Sequence, residues 1–311
     1  MFQMTFQPLH RKRSSACSCS RKEMRDQAEQ LRIRVLETSL QAKKAKVVSV
    51  LSGKGGVGKT NVAVNLSLAL SGLGKKVVLV DLDIGMGNVH LLLGLTPRHT
   101  IADLFEHHLS VREIIEKGPG SLDYLGGDNG LLSLLELDRN SQVHFVRELE
   151  KLSSAYDYIV FDIGAGLSEA SLKFVLAGHE VILVATPEIT SLTDAYSMIK
   201  LLHAERPELP VWTMINQCEN EREGRAVHDR LNEVSSRFLG KKLANLGQVS
   251  FDPAVRRAVM EQSPFVLESP RCEASGQIQK AAHCLLGNAK VQKGAVDQSF
   301  ISKLLSFLSK S

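Results

Sequence analysis

Apolar residues in this chain come in short, nearly unbroken runs, and between the runs they recur every three or four positions. Val47–Leu51, Val77–Val80, Leu122–Leu125, Tyr158–Phe161, Val181–Ala185, Val211–Ile215 and Leu246–Val249 each read as a strand, the first two as buried parallel strands. Val62, Ala63, Leu66, Ala69 and Leu70 fall at helical spacing, as do the segments 141–152, 194–202 and 275–286. Helix is also expected from Val89 onward and over 100–118, while Asp252-Pro253 reads as the cap and first turn of a helix through Met260. Repeated strand–helix alternation predicts one α/β domain over residues 46–286, with a doubly wound, mostly parallel sheet flanked by helices.

The ends of the chain depart from this alternation. Residues 1–23 are basic, rich in Ser and Cys, and without periodicity, so they are expected to form a disordered tail; translation from Met24 is the other reading. Met24, Ala28, Leu31, Val35, Leu36 and Leu40 share a helical spacing, and a polar linker follows to residue 45. This helix either caps the domain or docks on a partner. After a polar linker at 287–298, residues 299–311 place Phe300, Ile301, Leu304, Leu305, Phe307 and Leu308 within an arc of about 160°. Such a face either packs as a last core helix or lies in a membrane interface, and the linker and terminal position favour the membrane.

Composition narrows the setting. Of 311 residues 43% are hydrophobic and 23% charged, and a net charge of +4 does not by itself argue for nucleic-acid binding. Five cysteines without a C-x-x-C pair suit reduced thiols in a cytoplasmic protein. No run of 18 apolar residues is present. The histidines, His90, His107 and His108 among them, show no ligand spacing with Cys or Asp.

The chemistry concentrates behind the first strand. Gly53, Lys54, Gly55, Gly56, Val57, Gly58, Lys59 and Thr60 match G-x-x-x-x-G-K-[ST] between a strand and a helix, and with Asn61 they are the candidate nucleotide-binding residues. The glycines let backbone N–H groups surround a polyphosphate, the helix N-terminus adds positive charge, Lys59 reaches the β/γ-phosphates and Thr60 ligates Mg²⁺. Gly53, Gly55 and Gly58 also satisfy the dinucleotide pattern G-x-G-x-x-G, with Asp81 near the position of its ribose acid. Lys59-Thr60 and a second acidic strand end at Asp162 favour the triphosphate. Asp81 and Asp83 leave the second strand, and Asp162 closes the strand at 158–161 as a candidate Mg²⁺ acid. Asn216 ends another strand, where its amide is placed to take one hydrogen bond from adenine and give one.

GKGGVGKT at 53–60, DLDIGMGN at 81–88 and FDIGAGLSE at 161–169 together resemble the MinD/ParA family of deviant Walker A ATPases. The resemblance covers about residues 46–286. It implies ATP and Mg²⁺ as cofactors and a homodimer that sandwiches ATP, with Lys54 reaching the partner's nucleotide. Catalysis would rest on Lys54, Lys59 and Asp83, with Thr60, Asp83 and Asp162 at the metal and Asn216 at the base. Within the family, DQAEQLR at 26–32 resembles the activator motif of the FlhG branch, which regulates flagellar number and placement. That implies docking of Asp26, Gln27, Ala28, Leu31 and Arg32 on the flagellar GTPase FlhF. It also implies a membrane-targeting C-terminal helix, hence a peripheral position on the inner-membrane lipid surface, with rotor or regulatory proteins as further partners. Gly164 departs from MinD, which has proline there. MinD-type division-site placement and ParA-type DNA partition are the alternatives. An iron–sulfur reductase is excluded, because no cysteine lies between residues 20 and 217.

Overall fold

Seven of the eight strands are the apolar runs themselves, and burial of the central ones on both faces dictates the architecture. In a computed structural model of the protein, residues 44–83, 87–127, 139–288 and 300–308 are described. The strands are β1 (Lys46–Leu51), β2 (Val77–Leu82), β3 (Glu116–Lys117), β4 (Asp123–Leu125), β5 (Tyr158–Ile163), β6 (Glu180–Ala185), β7 (Val211–Cys218) and β8 (Ala244–Ser250). They form one sheet in the order β3-β4-β2-β5-β1-β6-β7-β8. All pairings are parallel except β3 with β4.

Helices cover both faces, because side chains alternate across each strand. The longer ones are α1 (Lys59–Gly72), α2 (Arg139–Ala155), α3 (Glu169–Ala177), α4 (Ile189–Glu205), α5 (Glu221–Leu239), α6 (Pro253–Met260), α7 (Glu273–Asn288) and α8 (Phe300–Leu308). Val47 and Leu51 join one core with residues of α2 to α5, while Val48 and Val50 join the other with α1 and α7. Buried on nearly every side, α1 carries apolar residues around most of its circumference. Asp252 caps α6 by accepting from the Ala254 N–H, with Pro253 in the first turn, as the sequence predicts.

Two expectations need correcting. Residues 100–118 do not form one helix. They make two short turns, Asp103–Glu106 and Val111–Ile114, and then the edge strand β3. Ser110 and Glu113 form a capping box that starts the second turn, and the chain must then reverse to pair with β4. The helix from Val89 likewise ends at Leu92.

The C-terminal helix also sits on the domain. Phe300, Ile301 and Leu304 are buried in the core beneath α2 and α3, with the Phe300 ring 5.7 Å from that of Phe161. The face expected to lie free for a membrane is therefore mostly occupied; Leu305 stays 42% exposed and Phe307 half-buried. Among the described residues no helix is long and apolar enough to cross a membrane. The tail at 1–23, the helix at 24–40 with Asp26, Gln27, Ala28, Leu31 and Arg32, and most of the 287–298 linker lie outside the described residues.

Candidate functional site

The sheet order brings the three signature segments together. β1 lies between β5 and β6, and β5 lies between β1 and β2, so the C-terminal ends of β1, β2 and β5 meet at one crevice. In register, Val50 faces Asp162 and Asp81 faces Asp162. Ligands of open parallel sheets bind at this end of the strands.

The loop from Gly53 to Thr60 is shaped by what presses on it. Gly58 takes a left-handed φ of 85° as it opens α1, and a Cβ there would collide with the Asn216 amide. A Cβ on Gly53 would collide with the backbone of Asp194 in α4. Only glycine fits at either place.

Lys59 stands at the centre. Its Nζ lies 2.6 Å from Asp162 Oδ1 and 3.9 Å from Asp83 Oδ2, and donates to Thr60 Oγ1 at 3.2 Å. Lys59 is 7% exposed and Asp162 0%. Burial pushes the Asp162 carboxyl above its ordinary range, while the Lys59 charge opposes the shift. Asp162 Oδ2 is buried and receives no hydrogen bond. An orphaned carboxylate oxygen beside a threonine hydroxyl is the donor set of a hard divalent cation and its water, so the residues fit Mg²⁺. Gly55, Gly56 and Val57 complete the loop.

Lys54 points elsewhere. Its Nζ pairs with Glu188 Oε2 at 2.9 Å and donates to Thr190 Oγ1 at 3.1 Å, at the start of α4. The Lys54 charge holds the Glu188 carboxyl below its ordinary range by hydrogen bond and attraction. Both side chains are exposed, so water weakens the pair and Lys54 can leave it at small cost.

A cleft of about 270 Å³ adjoins the loop. Gly58, Asn61 and Asn216 line it, as the sequence suggests, together with Gln217, Phe251, Asp252, Val255 and Arg256, which sequence reasoning missed as site residues. The Asp252-Pro253 cap was the available signal, because it places a helix start at the end of β8. Asn216 Nδ2 donates one N–H to the Val57 carbonyl at 2.8 Å, which fixes the amide against the loop and leaves its second N–H and its oxygen for a ligand. Of the histidines, His107 lies 2.7 Å and His99 3.5 Å from the Asp103 carboxylate. Among the described residues no group of three His, Cys, Asp or Glu side chains is placed to hold a metal ion.

Comparison with known proteins agrees with this geometry. Residues 45–209 match the family model described as an AAA domain. The chain is 39% identical over 230 residues to the antiactivator FleN of Pseudomonas aeruginosa, covering 74% of this chain and 82% of FleN. It is 30% identical over 270 residues to the flagellum site-determining protein YlxH of Helicobacter pylori, covering 85% and 90%. Among solved structures it is similar to the septum site-determining protein MinD of Pyrococcus horikoshii complexed with Mg-ADP. The TM-score there is 0.63 at 26% identity, over 81% of this chain and 100% of the other.

Proposed function

The chain belongs to the MinD/ParA family of P-loop ATPases, in the branch of the flagellar regulators FleN and YlxH, and we propose that it regulates flagellar number or placement through an ATP-driven monomer–dimer cycle. One observation carries the cycle. Lys54 is turned away from its own loop onto an exposed, weak ion pair with Glu188, where a second copy can reach it. ATP would lie in the 53–60 loop with its base against Asn216 and Phe251. Its phosphates take Lys59 from Asp162, exchanging one anion for another. Mg²⁺, when bound, neutralises charge on the β- and γ-phosphates, and Thr60, Asp83 and Asp162 are the residues that would hold it. Asp83 orients the attacking water, and the partner's copy of Lys54 places a cation where charge develops in the transition state.

The C-terminal helix supplies the readout. Burying Phe300, Ile301 and Leu304 stabilises docking by roughly 5–8 kcal/mol on an area basis. Membrane binding through Phe300, Ile301, Leu304, Leu305, Phe307 and Leu308 therefore requires the helix to leave the domain. A nine-residue amphipathic helix holds a bilayer only marginally, whereas two helices in one dimer gain from effective concentration. A second reading, in which α8 is simply a core helix, draws on the same buried contacts. The helix at 24–40 would engage an FlhF-type GTPase through Asp26, Gln27, Ala28, Leu31 and Arg32.

Sedimentation velocity with Mg-ATP against Mg-ADP tests the cycle: a dimer is expected with ATP alone, and a monomer in both overturns it. For the partner, deleting residues 24–40 should spare ATP hydrolysis and abolish stimulation of the GTPase. Stimulation that survives the deletion removes that assignment.

A further inference from the structure

Asp81 has no part in the chemistry above, yet it is a fully buried carboxylate at the edge of the site. We propose that Asp81 is a positioning residue for ATP turnover, whose carboxylate accepts the backbone N–H groups of Asp83 and Val89 and thereby sets where Asp83 stands. The inference rests on Asp83 acting in hydrolysis.

Three observations carry it. Asp81 Oδ1 accepts the Asp83 N–H at 3.0 Å, and Oδ2 accepts the Val89 N–H at 3.4 Å. One side chain thus ties the backbones of Asp83 and Val89 together. The backbone at Gly87 passes so near that a Cβ there would lie 2.6 Å from Asp81 Oδ2. On the other side of Asp83, a Cβ on Gly164 would lie 2.5 Å from Asp83 Oδ1 and 2.9 Å from its Cγ. Asp83 is therefore gripped through its backbone by Asp81, while its carboxylate fills the space that the glycine leaves at the end of β5.

The need for a carboxylate follows from the donors. Two backbone N–H groups arrive at one side chain, one at each oxygen of the carboxyl group. An amide of the same shape accepts one and turns its own N–H toward the other. Buried, that mismatch is resolved by the backbone at Asp83 or Val89 moving, since an unpaired donor there is costly. The glycine at 164 works by space alone, so a methyl group displaces the Asp83 carboxylate directly. A shift of about 1 Å in a reacting group lowers rates by about 100-fold.

The test uses the full-length chain with Mg-ATP, measuring ATP affinity and kcat separately for Asp81→Asn, Gly164→Ala, Asp83→Ala and Asp81→Asn/Asp83→Ala. Asp81→Asn and Gly164→Ala should each lose at least about 10-fold in kcat with ATP affinity within about threefold of wild type. The double variant should be no slower than Asp83→Ala, because Asp81 acts through Asp83. Should Asp81→Asn fail to fold, Gly164→Ala tests the same displacement from the opposite side. Wild-type kcat in Asp81→Asn and Gly164→Ala, with Asp83→Ala inactive, overturns this inference alone. Additive losses in the double variant overturn it as well. Full turnover in Asp83→Ala overturns both the inference and the hydrolytic reading of Asp83.

Discussion

Replacing Lys59 by methionine should weaken the nucleotide-free fold as well as abolish ATP binding. Asp162 loses the ammonium that lies 2.6 Å away, and nothing else neutralises this fully buried side chain. A lone buried carboxylate costs several kcal/mol, and taking up a proton is its cheapest escape. Protonating a carboxyl of ordinary pKa 3.8 costs about 4 kcal/mol at pH 7 and about 1.6 kcal/mol at pH 5. Those figures are ceilings for the loss. The folded variant holds a proton that the unfolded chain releases above pH 3.8, so its stability falls as pH rises. Urea unfolding at pH 7 and pH 5, in chelator and without nucleotide, reads the effect as a shift in midpoint at constant slope. Lys59→Met should lose up to about 4 kcal/mol at pH 7 and less than half of that at pH 5. Lys59→Met/Asp162→Asn should regain most of the loss at both values and still fail to bind ATP. Equal losses at the two pH values, or none, would refute the argument that Lys59 counters Asp162.

Other consequences are independent of that pair. Lys54→Ala should keep ATP affinity within about threefold, since its Glu188 partner is exposed, and lose the ATP-dependent dimer in sedimentation. Asn216→Asp should lose ATP affinity by about 10-fold or more in equilibrium binding, because a carboxylate cannot donate to the Val57 carbonyl. Leu305→Asp should leave the thermal midpoint within about 2 °C, this side chain being exposed in the docked helix, yet remove ATP-dependent binding to anionic lipid vesicles. His228 is buried with Nδ1 2.6 Å from Thr213 Oγ1, and burial holds its pKa below the ordinary 6.5. The unfolded chain therefore binds an extra proton below pH 6.5, and stability should drop between pH 7 and 5 by up to about 1.4 kcal/mol per unit. His228→Gln should flatten that slope in urea melts.

The parts of this molecule that were legible in the sequence are those whose partners are close in the chain. The strand, loop and α1 follow one another within 30 residues, so the glycines, Lys59 and Thr60 could be assigned from spacing. Asp162 was legible because a buried strand that ends in a carboxylate has few other uses beside such a loop. Long-range partners were not legible. Phe251 and Arg256 come to Gly58 only because β7 and β8 lie on the same side of β1, an order no periodicity reveals. Residues 100–118 misled because short turns share the spacing of a helix, and only the pairing of β3 with β4 shows where the chain must reverse. The apolar face of α8 was visible, but lipid and a groove between α2 and α3 offer it equivalent surroundings. The ring of Phe161 decides for the groove in this structure.

Most direct for the account as a whole is a crystal structure with a non-hydrolysable ATP analogue and Mg²⁺. The account predicts triphosphate within Gly53–Thr60, the base against Asn216, and Lys54 moved from Glu188 to the nucleotide of a second copy. A monomer whose Lys54 still rests on Glu188 beside bound nucleotide, or a loop left without triphosphate, would contradict it.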